Sequence, residues 1–249
     1  MNGALVAGGW GLFAGVALLV GAALGSLVRV PPRLIALVMA FGSGVLMAAV
    51  SFELIAEAYE RSGMAPVVAG AVGGAAVYSG ANTLLARRGA QHRKRSGEQQ
   101  PSEAEAPGSG NAIALGALLD GIPESVVIGT SLLGGGHPGV ATVGAVFISN
   151  LPEGLASAAG MRSAGRSLRY VSTLWGSIAV ISGVAALAGY ALLGGTSETV
   201  MATITAVAGG AILAMIADTM IPEAYSRVHL LTGLVTVVGF LSAFALAQL

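Results

Sequence analysis

The chain of 249 residues has no cysteine, which removes disulfides, thiolate nucleophiles and soft sulfur ligands together. Charge is scarce as well: 10% of residues are charged, and twelve basic against twelve acidic side chains leave a formal charge of zero. Soluble domains carry about 25% charged residues, so a water-exposed globular surface is excluded, and nothing basic enough to bind nucleic acid stands out. There are only three histidines, none near the middle of a long apolar run. The His-Glu-x-x-His pattern of zinc hydrolases and its reverse are therefore absent, and so is any nucleotide-binding glycine loop. Ten-residue stretches of alternating polarity are missing too, which argues against an outer-membrane barrel.

What is present is apolar. Hydrophobic residues make up 55% of the chain and the mean hydropathy is +0.81, values that describe an all-α integral membrane protein. The 38 glycines suit helices packed backbone to backbone, as in Gly11-x-x-x-Gly15 and Gly21-x-x-x-Gly25. Apolar runs fall at about 7–28, 34–58, 64–86, 110–133, 138–161, 170–194, 200–223 and 229–248, each near the roughly 20 residues a crossing helix needs. This spacing predicts eight spans in one domain covering 1–249. The first is expected to be retained, because no basic leader with a cleavage site precedes it.

Assigning the loops to alternate sides puts Arg29, Arg33, Arg87, Arg88, Arg93, Lys94, Arg95, Arg162, Arg166, Arg169 and Arg227 on one side and only Arg61 on the other. The positive-inside rule then sets both termini outside the cytoplasm, in a multi-pass protein of the cell's inner membrane. The polar stretch at about 87–110 reads as a disordered cytoplasmic loop whose His92 is solvated among arginines. His137, in a glycine-rich turn between spans four and five, reads as a turn residue.

Two apolar runs share an unusual signature. Asp120-Gly121-Ile122-Pro123-Glu124 is followed 29 positions later, counted from Pro123 to Pro152, by Ser149-Asn150-Leu151-Pro152-Glu153-Gly154. Proline has no N–H, so Pro123 frees the carbonyl of Leu119 and Pro152 that of Ile148, and broken helices are expected at both places. A buried charge costs about 3 kcal/mol or more at the bilayer centre and normally faces a cavity or a partner. Asp120 and Glu124, spaced i, i+4, share a face, as do Ser149 and Asn150 with Glu153. Packed together, the two helices offer three carboxylates, an amide, a hydroxyl and free carbonyls around one point: a cation site. The competing reading is two kinked helices whose acids bond to neighbours.

A longer repeat accompanies the first. Gly44, Ala48, Ile55, Glu57, Ala58, Tyr59 and Arg61 match Gly210, Ala214, Ile221, Glu223, Ala224, Tyr225 and Arg227 at a constant separation of 166 positions, Gly44 to Gly210. The matching runs point in opposite directions, which predicts inverted repeats, spans 1–3 against 6–8 and span 4 against 5.

With these residues in view, the chain resembles the ZIP family of zinc- and iron-type metal transporters. That family is similar in having eight spans, outward termini, a variable loop between spans three and four, and a Pro-Glu motif in each of spans four and five. The resemblance rests on Pro123-Glu124, Pro152-Glu153-Gly154 and Ile221-Pro222-Glu223-Ala224. Where the family has histidine, Asp120 and Ser149 stand here, and Gly121 replaces an asparagine. By position, the resemblance implies a metal site of Asp120, Glu124 and Glu153, with Asn150 and Ser149 beside it. Glu53, Glu57, Asp218 and Glu223 resemble vestibule positions, with Glu57 and Glu223 expected to cap interfacial helix ends and Asp218 having the stronger functional claim.

The expectation is thus a permease, not an enzyme, passing a divalent metal ion such as zinc, manganese or iron into the cytoplasm. No prosthetic cofactor is expected, the bilayer is its surroundings, and a homodimer is a candidate assembly. Carboxylate, amide and hydroxyl ligands suit harder ions such as manganese, magnesium or ferrous iron better than zinc. The alternatives are an intramembrane metalloenzyme and a transport-inactive regulatory relative.

Overall fold

The computed structural model describes residues 3–95, 100–133 and 140–247. Apolar surroundings leave every backbone N–H and C=O to be satisfied within the chain, and the described residues form helices and turns with no strand. The helices are α1 (Gly3–Leu27), α2 (Pro32–Ser62), α3 (Met64–Ala90), α4 (Ser109–Thr130), α5 (Val140–Ser163), α6 (Leu168–Leu193), α7 (Glu198–Val228) and α8 (Leu231–Ala247). Six of them, α1 to α4 with α6 and α7, are long and apolar enough to cross a membrane. The protein is therefore read as a multi-pass membrane protein.

Local chemistry explains where helices start and stop. Pro32 opens α2 with its φ already set for a helix. Ser167 and Ser197 cap α6 and α7, their hydroxyls accepting from the backbone N–H of Tyr170 at 3.1 Å and of Val200 at 3.3 Å. Gly63, at φ 74°, lets α2 reverse into α3, a turn that a side chain would strain.

The two prolines do not break their helices. α4 runs through Pro123 and α5 through Pro152 without interruption, because packing against α1 and α6 holds the backbone in place around each missing N–H. The departures from α geometry lie elsewhere, in π-turns at Val50–Ile55 within α2, Ile216–Met220 within α7 and Ala86–Ala90 at the end of α3.

Glycine contacts set the packing. A Cβ at Gly154 would collide with the carbonyl of Leu18, one at Gly44 with that of Thr236, and one at Gly210 with that of Ala71. Through such contacts α5 lies against α1, α2 against α8, and α7 against α3. Inside the bundle, Met39, Leu46, Val50, Val127, Ile128, Val146, Met215 and Met220 pack together. Large side chains such as Phe13, Val77, Leu84, Leu192 and Leu234 point outward, as a lipid-facing surface requires.

Candidate cation site

Asp120 and Glu124 stand one turn apart on α4, and Glu153 on α5. None is more than 4% exposed. Asp120 Oδ1 accepts from the Tyr78 hydroxyl of α3 at 2.5 Å. Glu124 is close enough to Glu153, Lys94 and Asp120 to feel their charges. Yet its Oε1 has no hydrogen-bond partner among the described residues, and no ion pair to Glu124 is found there.

The cations that answer these acids come from the segment following α3. Arg93 donates from Nε to Asp120 Oδ2 at 3.0 Å, and from one terminal nitrogen to Asp120 Oδ1 and the Tyr78 oxygen, both at 2.9 Å. Its other terminal nitrogen donates to Asn82 Oδ1 at 2.6 Å. Lys94 Nζ bridges two helices, 2.8 Å from Glu153 Oε2 and 3.3 Å from Asp120 Oδ2. Burial opposes the Lys94 ammonium, but the carboxylates of Asp120 and Glu153 outweigh it and hold its pKa above that of free lysine. Among the described residues, no three acidic or histidine side chains come close enough together to hold a metal ion in this arrangement. Lys94 occupies the gap between Asp120 and Glu153.

The segment read from the sequence as a disordered loop is thus packed at its basic end. Arg93, Lys94 and Gln100 are buried, whereas Arg87 and Arg88 stay exposed. Three buried carboxyls attract whatever cations the chain can bring, and the turn at Gly89, φ 96°, folds the strand of residues back toward them. His92 is half-buried and not solvated, its Nδ1 without a hydrogen-bond partner among the described residues; burial and Arg95 lower its pKa. Farther along, Glu103 accepts the N–H groups of Gly108 and Gly110 at 2.7 and 2.9 Å and pairs with Arg166 at 3.3 Å.

The remaining sequence candidates have partners other than Asp120, Glu124 and Glu153. Ser149 turns its hydroxyl back to the Val146 carbonyl at 2.9 Å. Asn150 points its amide at α1, donating to the Ala14 carbonyl at 3.0 Å. Asp218 is exposed on the π-turn of α7, accepting from the Ser79 hydroxyl at 3.2 Å. Glu57 pairs with Arg61 one turn on. Glu223 does not cap an interfacial end: it is 2% exposed, with Arg95 Nε at 3.5 Å. Glu53, in the π-turn of α2, accepts from the Thr142 hydroxyl and lines a small cleft of about 30 Å³ with Glu57, Thr130, Ser131 and Thr205. His137 lies outside the described residues.

Tyr78, Asn82, Arg93, Lys94 and Gln100 were not expected here. Charge balance was the available signal, since three buried acids call for cations within reach.

Fold and site together define a helical membrane protein with a buried network of acids and bases between α3, α4 and α5. No family model matches the chain, and no curated protein matches it.

Proposed function

We propose that the protein is a ZIP-type permease that carries a divalent cation into the cytoplasm, binding it between Asp120, Glu124 and Glu153. The observation that carries the reading is Glu124, an acid 2% exposed with neither ion pair nor hydrogen bond among the described residues, beside two further buried carboxyls. An unpartnered acid at this depth is costly, and a chain keeps one where a ligand needs it.

Eight spans with inverted repeats are part of the same proposal. The π-turn at Val50–Ile55 and the one at Ile216–Met220 begin at the repeat separation already noted, Val50 against Ile216. Helix pairing supports it too: α2 against α8 corresponds to α7 against α3, and α1 against α5 to α6 against α4. In such folds the substrate is held at the midplane while one group of helices rocks against the other. Carboxylate ligands favour manganese, magnesium or ferrous iron, and ion gradients supply the drive. The basic loops lie in the cytoplasm and both termini outside, in the inner membrane.

A second reading has its own support. Arg93 and Lys94 already answer Asp120 and Glu153, as a permanent structural lock in a transport-inactive relative would. Uptake separates the two. Purified protein in liposomes with indicator dye inside is expected to admit one or more of manganese, magnesium, iron, cobalt, zinc and cadmium, and Glu124→Gln or Glu153→Gln to abolish this while leaving a folded protein. No uptake of any of these ions by the wild type would favour the lock, and full uptake by both variants would dismiss the site.

A further inference from the structure

We propose that Arg93 and Lys94 are a tethered cationic plug, which fills the carboxylate cluster from its loop side and is displaced by the metal ion. The proposal rests on the cation-site reading and adds its regulation.

Lys94 Nζ, at 2.8 Å from Glu153 and 3.3 Å from Asp120, stands where a bound cation would stand. With Arg93 also held against Asp120, the three carboxylates retain one uncompensated charge for an incoming ion; without the plug they offer all three. Metal ion and plug therefore compete for the same oxygens.

The docking is built into the helices. On α4, Gly116 is bare where the Arg93 stem passes, and a Cβ there would collide with Arg93 Cδ. On α5, Gly160 is bare where the loop backbone passes, and a Cβ would collide with the Arg95 carbonyl and the Gln100 amide. Gln100 Nε2 donates to the carbonyls of Arg93, Arg95 and Ser157 at 3.0, 3.2 and 3.1 Å, tying the segment to α5. Arg87 and Arg88, equally basic, remain exposed, so the insertion is selective. A plug of this kind keeps the loop side shut while the site lacks metal, and opens it as the ion takes over the acids.

A docked state populated in about ninety-nine molecules of a hundred weakens apparent metal affinity about a hundredfold, because only the undocked fraction is competent. Mn²⁺ and Zn²⁺ binding to the full chain in detergent is measured for the wild type, Lys94→Gln and Gly160→Ala, the last of which lifts the loop without removing a charge. Both variants are expected to bind at least tenfold more tightly. In parallel, Ala90→Cys provides a single thiol in this cysteine-free chain at a position that is fully buried beside the loop. Mn²⁺ is expected to speed its reaction with a maleimide tenfold or more, and to have no effect when Glu153→Gln is added. Unchanged affinity in both variants and metal-independent labelling, with binding still abolished by Glu153→Gln, would overturn the plug and leave the site standing. Absence of binding in the wild type and in Lys94→Gln alike would overturn the site and the plug with it.

Discussion

Asp120→Asn is the most informative single change for the buried network. The substitution keeps the shape of the side chain and removes the charge that faces Arg93 at 2.9 Å and Lys94 at 3.3 Å. Arg93 is 3% exposed, so its guanidinium does not reach water while the segment stays docked. It keeps Asn82 and Tyr78 but loses the paired acceptance of its Nε and one terminal nitrogen. Unpairing a buried charge costs about 3–5 kcal/mol, and the surviving neutral acceptors put the expected loss near the lower end, about 3 kcal/mol. Removing both partners together avoids that penalty: Arg93→Met with Asp120→Leu is expected to recover most of the loss, to within about 1 kcal/mol of the wild type. Reversible unfolding in detergent, followed by circular dichroism, measures both. If Asp120→Asn changes stability by less than about 0.5 kcal/mol, the scale of an exposed substitution, the network is not the buried ion-pair cluster described here. A double variant no better than the single one refutes the charge argument in particular.

Other expectations test separate parts of the account. Gly74→Ala, whose Cβ would collide with the Val207 carbonyl, is expected to lose about 1–3 kcal/mol, whereas Gly73→Ala, with open space around it, is neutral; equal effects would discount the close approach of α3 and α7. Cysteines placed singly at Ala104 and Thr196 are expected to react with impermeant reagents from opposite sides, Ala104 from the cytoplasm, and same-side labelling contradicts the proposed topology. The N–H groups of Gly108 and Gly110, with Arg166, hold the Glu103 carboxyl below its usual range. Because the folded pKa is depressed, this docking is present at neutral pH and is lost as pH falls through and below the ordinary glutamate range; proteolysis of the 101–108 segment that is no faster in acid argues against it.

Much of the helical layout is legible because lipid simplifies the problem. A run of 20 apolar residues in a chain with so few charges has little choice but to be helical, and among the described residues the expected runs lie on helices except for up to three residues at their ends. The burial of Asp120, Glu124 and Glu153 was also readable, from acids set beside prolines in such runs. Orientation was not. Asn150 and Glu153 are three residues apart and share a broad face, yet the Ala14 carbonyl claimed the amide from the other side. Ser149 found its acceptor within its own helix. Arg93 and Lys94 were hidden for a different reason. By composition they are indistinguishable from Arg87 and Arg88, and only the glycine slots at positions 116 and 160 in three dimensions tell the inserted pair from the solvated one. The continuity of α4 and α5 through their prolines, and the π-turns of α2 and α7, likewise depend on packing that local propensity does not encode.

The central claim is that Asp120, Glu124 and Glu153 bind a divalent cation, and anomalous scattering from crystals soaked in manganese tests it directly. The account predicts one strong manganese peak within ligand distance of at least two of these carboxylates, with Lys94 Nζ displaced from between Asp120 and Glu153. Saturating manganese that leaves the cluster without a peak and Lys94 still bridging the two acids would contradict it.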